Sequence, residues 1–121
     1  MEDVKQVIVV RKDVSLKKGE LAAIVAKASM QFLLDNNQSS RDDEIRVNLT
    51  REEATWLTGS FANIMSADSE DALRELALRA QLEGIEVYPV TGAQETGWTC
   101  LAIGPDDESI INRLTTGLKT F

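Results

Sequence analysis

The order of elements predicts an α/β layer with a mixed sheet, and three observations carry that prediction. "VIVV" at 7–10 is a continuous β-branched run, the mark of a strand covered on both faces. "DSEDALRELALRAQLEG" at 68–84 is a capped amphipathic helix. Extended segments stand on either side of that helix, and a strand–helix–strand unit demands parallel strands.

Taken in order, Leu21, Ile24, Val25, Ala28 and Phe32 recur at helical spacing and predict a helix from about Gly19 to Leu34. "DNNQSSRDDE" (35–44) breaks it with turn formers and charge. "EIRVNL" alternates Ile45, Val47 and Leu49 against Arg46 and Asn48, as a short exposed strand or an extended lead-in does. "TREE" (50–53) is a capping box in which Thr50 and Glu53 exchange hydrogen bonds, opening a short helix through Trp56 and Leu57 that stops at Gly59. "SFANIMS" (60–66) reads as a strand.

In the helix at 68–84, Asp68 is the expected N-cap, and Leu73, Leu76, Ala77 and Ala80 form the expected buried stripe. Gly84 ends it. "IEVYPV" (85–90) and "TCLAI" (99–103) are the last two strands, with Pro89 best placed on an edge or a bulge. "PDDESIINRL" (105–114) makes a final helix before the tail "TTGLKTF". Trp56 and Phe61 are expected in the core and Trp98 is expected to be exposed.

The 121 residues suffice for one domain with a single core. The one cysteine, Cys100, cannot close an internal disulfide, and the start "MEDVKQ" lacks a signal peptide's apolar segment. With no apolar run near the roughly 20 residues needed to span a bilayer, a cytoplasmic protein is expected. The absence of histidine removes Ser-His-Asp and Cys-His chemistry and histidine-containing zinc sites. Net charge is −7, which opposes avid non-specific binding to nucleic acid. Yet six of the thirteen basic residues lie within 1–27, while 41–75 holds nine acids against four bases. An anion, if one binds, belongs near the turn "RKDVSLKKG".

"VIVVRKDVSLKKGELAAIVAKASM", "WLTGSFANI", "TCLAIGPDD" and "INRLTTGLKTF" together resemble the second, archaeal and eukaryotic type of peptidyl-tRNA hydrolase. The match is collinear and weakest at 35–49 and 91–98. The resemblance implies a three-layer α-β-α domain over 1–121 with a four-stranded mixed sheet, usually a homodimer. It also implies cofactor-free, metal-free hydrolysis of the ester joining a peptide to tRNA.

Residue by residue, Asp13, Lys18 and Gly19 match the family's strand end and turn, while Glu20 replaces a second lysine. Ala22 and Ala23 are kept, Ile24 replaces a glutamine, and Lys27 replaces a histidine. Trp56, Leu57, Gly59, Ser60 and Phe61 match, with Asn63 in place of a lysine. After the third strand, Gly92-Ala93-Gln94-Glu95-Thr96 stands where the family has Asp-Ala-Gly-Arg/Leu-Thr. The threonine survives, the active-site aspartate becomes Gly92, and about four to six residues of the loop are missing.

An ester hydrolase needs a group to orient or deprotonate water and donors for the oxyanion. The resemblance makes Lys18, Lys27 and Thr96 the catalytic candidates, with Arg11, Asp13, Lys17, Gly19 and Ser60 as substrate-binding candidates. The obvious base is gone unless Glu20 or Glu95 takes its place. Each pick has a plain alternative: Lys17 and Lys18 as solvated loop residues, Lys27 snorkelling along its helix, Thr96 as a turn hydroxyl. Two classes of function therefore stand open. One is a divergent peptidyl-tRNA hydrolase with activity weakened or lost, or a hydrolase of another acyl substrate. The other is a non-catalytic dimeric binding protein on the same fold.

Overall fold

The computed structural model describes residues 3–92 and 97–121. β1 (Val4–Arg11) runs through the middle of the sheet and is followed by α1 (Lys18–Asp35), α2 (Arg51–Gly59) and β2 (Asn63–Ala67). Then come α3 (Glu70–Leu82), β3 (Val87–Val90), β4 (Cys100–Asp107), α4 (Glu108–Thr115) and β5 (Lys119–Thr120). The sheet has the order β3-β4-β1-β2-β5.

β1 pairs parallel with β2, Val7 opposite Asn63 and Arg11 opposite Ala67, and antiparallel with β4, Val10 opposite Cys100. Val7 through Val10 are wholly buried because helices cover both faces. Val7 and Val9 pack with Leu73, Leu76 and Ile111 of α3 and α4, whereas Ile8 and Val10 pack with Ala28, Phe32 and Trp56 of α1 and α2. Each such aliphatic burial is worth about 1.5–3 kcal/mol. The layers are therefore α-β-α with a mixed sheet, as the element order and the resemblance both predicted. The sheet has five strands rather than four, the tail supplying β5 against β2.

Several local expectations are corrected. The hydrogen-bonded parallel pair is β1–β2; β2 and β3 run the same way, but β1 and β4 lie between them. Of the two readings of "EIRVNL", the strand falls and the extended lead-in is left: Ile45 is 55% exposed, and the Arg46 backbone bonds Gln38 and Asn37. The N-cap of α3 is Ser69, whose hydroxyl accepts from the Ala72 amide, and Asp68 pairs with Lys12 at 3.1 Å. α4 starts at Glu108, because Pro105–Asp107 extend β4 and the Asp107 carboxylate caps the helix. Phe61 is 90% exposed, since Ala62 and Ile64 are the residues turned into the core. Trp98 is part-buried, packed on the α3–α4 core with the Arg74 guanidinium 4.3 Å above its ring. The expected details that hold are the Thr50–Glu53 capping box, the α3 stripe, and Pro89 on the edge strand β3.

Candidate functional site

The carboxyl ends of β1, β2 and β3 meet the amino end of β4 along one edge of the sheet, the usual place for ligands in open α/β sheets. Three connections leave from it: 12–17 into α1, 68–69 into α3, and the segment after β3. Of the last, residues 93–96, among them Glu95 and Thr96, lie outside the described residues.

Arg11, at the end of β1, holds Asp13 through two bonds of 2.8 and 3.0 Å, donates to the Trp98 carbonyl at 3.3 Å, and lies 3.9 Å from Glu70. Glu70, in the first turn of α3, accepts from the Trp98 amide at 2.9 Å and from Arg74 at 2.7 Å. The Trp98 amide, then Arg74 and Arg11, hold the Glu70 carboxyl below its ordinary range, and Arg11 does the same for Asp13. This ring ties β1, α3 and the start of β4 together.

Beside the ring, the Thr99 hydroxyl accepts from the Gly92 amide at 2.8 Å, and Thr99 is fully buried. Gly92 closes onto α1: a Cβ built there would stand 3.2 Å from Ile24 Cδ1. Glu20, Ile24 and Lys27 share one α1 face at i, i+4 and i+7, so Glu20 and Lys27 flank this contact along the helix. Glu20 also serves α1 itself, accepting the Lys17 amide at 3.2 Å.

Lys18 does not share that face. It is nine residues from Lys27, which on an α-helix is about 13 Å along the axis and half a turn round. Lys18 lines an open apolar hollow of about 420 Å³ with Leu21, Val25, Ile64 and Phe121. Among the described residues neither ammonium has an ion-pair partner, and none of their carboxylates pairs with Lys18. Lys17 and Gly19 sit exposed at the α1 start, with Asp13 and Arg11 on the strand side of the same edge. Ser60 stands apart. It precedes β2, whose length alone puts it ~13 Å or more from the edge that carries Arg11.

Sequence reasoning missed Glu70, Arg74, Trp98 and Thr99. Glu70 and Arg74 have the i,i+4 spacing of an ordinary exposed helix pair, and nothing local to α3 signalled the Trp98 amide 28 residues away. Cys100 is fully buried in β4, and burial pushes its thiol up to about 12.

The family Peptidyl-tRNA hydrolase PTH2 matches residues 4–121. A peptidyl-tRNA hydrolase of Haloquadratum walsbyi is 37% identical over 123 residues, covering 97% of this chain and 99% of the relative. One from Methanothermobacter thermautotrophicus is 36% identical over 121 residues, covering 95% and 97%. Among solved structures, a protein of unknown function from Agrobacterium tumefaciens strain C58 superposes with a TM-score of 0.58 at 18% identity, covering 100% of this chain and 99% of that one. That likeness speaks for the fold alone. With the profile spanning nearly the whole chain and relatives above one-third identity, the chain belongs to the PTH2 family of peptidyl-tRNA hydrolases.

Proposed function

We propose that this chain hydrolyses the ester between a peptide and tRNA, in the cleft where Gly92 meets the Glu20–Ile24–Lys27 face of α1, and does so more slowly than its archaeal relatives. The observation that carries the reading is the contact of Ile24 with Gly92. The resemblance assigns a glutamine and an aspartate to these two positions; here they meet as an apolar pair. In this reading Lys27 and the Thr96 hydroxyl supply positive charge and donors to the substrate at this face, and Lys18, on the opposite side of α1, adds positive charge for the RNA at the helix's amino end. Arg11, Asp13, Lys17 and Gly19 shape the edge where the RNA enters. The group that would orient water is absent from position 92. A positioned general base contributes about 10²–10⁴-fold, so turnover is expected to be lower by roughly that factor.

Residues 1–121 act on this reading as one domain, in the cytoplasm, with tRNA as partner. The homodimer belongs to the same proposal, supported by the unpartnered exposure of Phe61 and Leu57. No helix among the described residues is long and apolar enough to cross a membrane.

Release of peptide from N-acyl-aminoacyl-tRNA tests the proposal, comparing the natural chain with an Ile24→Gln/Gly92→Asp double variant. Slow release by the natural chain and faster release by the variant are expected. A Cβ at position 92 would stand 3.2 Å from both Ile24 Cδ1 and Thr99 Oγ1, and the Ile24→Gln change removes the first of these two close approaches. No release above buffer at micromolar protein would leave the non-catalytic binding protein as the reading. Release as fast as that of an archaeal relative would refute the argument from the missing carboxylate.

A further inference from the structure

The geometry points to Glu70 as a positioning residue for the reaction, one that touches no substrate and sets the cleft through Trp98 and Thr99. The inference rests on the proposed hydrolase reading for its kinetic consequence, though not for its structural one. The chain of contacts is short. Glu70 Oε2 accepts the Trp98 amide at 2.9 Å. Thr99, the next residue, is locked by three bonds: its amide donates to Val90, its carbonyl accepts from the Arg11 amide, and its hydroxyl accepts from the Gly92 amide at 2.8 Å. Gly92 in turn lies against Ile24 of α1. Two hydrogen bonds, one peptide link and one close approach thus run from the α3 N-terminus to the proposed cleft.

The clamp is built for rigidity. Arg74 grips Glu70 at 2.7 and 3.1 Å and covers the Trp98 ring, so one guanidinium fixes both partners of the key hydrogen bond. Arg11 completes the enclosure, bonded to Asp13 and to the Trp98 carbonyl and lying 3.9 Å from Glu70. Gly97 passes so close to the carboxylate that a Cβ there would collide with it. Exposed i,i+4 pairs need none of this. A misplacement on the order of 1 Å at a reacting centre can cost about 10²-fold in rate, and it is the position of Gly92 that this relay controls.

The test uses the full chain and two readouts. For peptidyl-tRNA hydrolysis, Glu70→Ala should lower kcat by about 10- to 100-fold with KM within about twofold. Glu70→Gln, which keeps an oxygen for the Trp98 amide, should restore most of it. Amide hydrogen exchange provides the second readout: Glu70→Ala should deprotect the Trp98 amide and also the Gly92 amide. Should Glu70→Ala fold poorly, Thr99→Val breaks the relay at its last step and should produce the same kcat loss and the same Gly92 deprotection. A wild-type kcat in folded Glu70→Ala overturns the positioning role. Protection retained at Gly92 while Trp98 is deprotected overturns the relay. If the natural chain shows no turnover, the hydrolase reading falls, and the exchange pattern alone then decides whether the relay exists.

Discussion

Gly97→Ala offers a sharp energetic check on the clamp, because the structure supplies its own control. Gly97 has φ 86° and Gly84 has φ 76°. Alanine at either position pays the left-handed strain of a side chain, about 1–2 kcal/mol. The two sites differ in what surrounds the added methyl. Nothing lies within 4 Å at Gly84, whereas at Gly97 the new carbon would stand 2.6 Å from Glu70 Cδ and closer still to its oxygens. Ordinary contact begins near 3.4 Å, so something must move by close to an ångström. Overpacking of that kind adds about 1–3 kcal/mol. Gly84→Ala should then lower the melting temperature by ~4–8 °C and Gly97→Ala by ~8–20 °C, at roughly 4 °C per kcal/mol for a chain of this size. In a Glu70→Ala background the obstruction is gone, and the two alanines should cost the same, as a double-mutant cycle by urea or thermal unfolding would register. Equal costs in the natural background would refute the close packing on which the clamp depends.

Cys100 should be inert in the folded chain. With its thiol pushed up to about 12 by burial, the thiolate is roughly one in ten thousand at pH 8. An aromatic disulfide reagent should therefore find one thiol per chain only after unfolding, and rapid native-state labelling would contradict the burial. Acid stability should follow the carboxylates at the edge and at the α4 cap. Glu70, Asp13 and Asp107 are all held below their ordinary values of 4.5, 3.8 and 3.8. Depressed carboxyls contribute stability that is fully present above those values and is lost as pH falls through the folded ones. Urea midpoints should be level from pH 7 to about 5 and then drop, with a shallower drop in Glu70→Gln; an identical acid profile for the variant would show that Glu70 gains nothing from its partners.

The layers of this fold were legible because periodicity reports burial directly. The β-branched run Val-Ile-Val-Val favours a strand with both faces covered, and the stripe of Leu73, Leu76, Ala77 and Ala80 names its own buried face. Strand pairing was less legible. The connection through α3 implies parallel strands, but which strands sit between them depends on long-range contacts that no local pattern encodes. The two-residue β5 lies below any periodic signal. Phe61 shows the limit of composition as a guide to the core: its neighbours Ala62 and Ile64 set the register, and the larger side chain is left outside. At the site, the resemblance found positions 24 and 92 before anything placed them together. It grouped Lys18 with Lys27 by their places in the family pattern, whereas nine residues on a helix put them about half a turn apart. The Glu70–Trp98 bond was invisible because its acceptor and donor belong to motifs that each have a sufficient local explanation.

The acidic balance of the chain acquires a different meaning once its cations are placed. Of the basic residues clustered before position 28, Arg11 is held by Asp13, Lys12 pairs with Asp68, and Lys5 donates to Asn112. Those charges serve the fold. Lys17, Lys18 and Lys27 remain without ion-pair partners among the described residues; Lys18 and Lys27 lie on α1 and Lys17 is its N-cap. Lys17 and Lys18 stand at its amino end, where the helix dipole adds to their field. Glu20, the acid that replaces a lysine of the family pattern, is not an idle reversal either, because its carboxylate satisfies the Lys17 amide at that same helix end. Each phosphate contact to a single strand changes log K by about −0.7 per decade of salt, so three cations sustain a slope of only about −2. On the hydrolase reading, then, RNA is held weakly, and selectivity has to come from the ester and its peptide in the cleft rather than from the nucleic acid backbone.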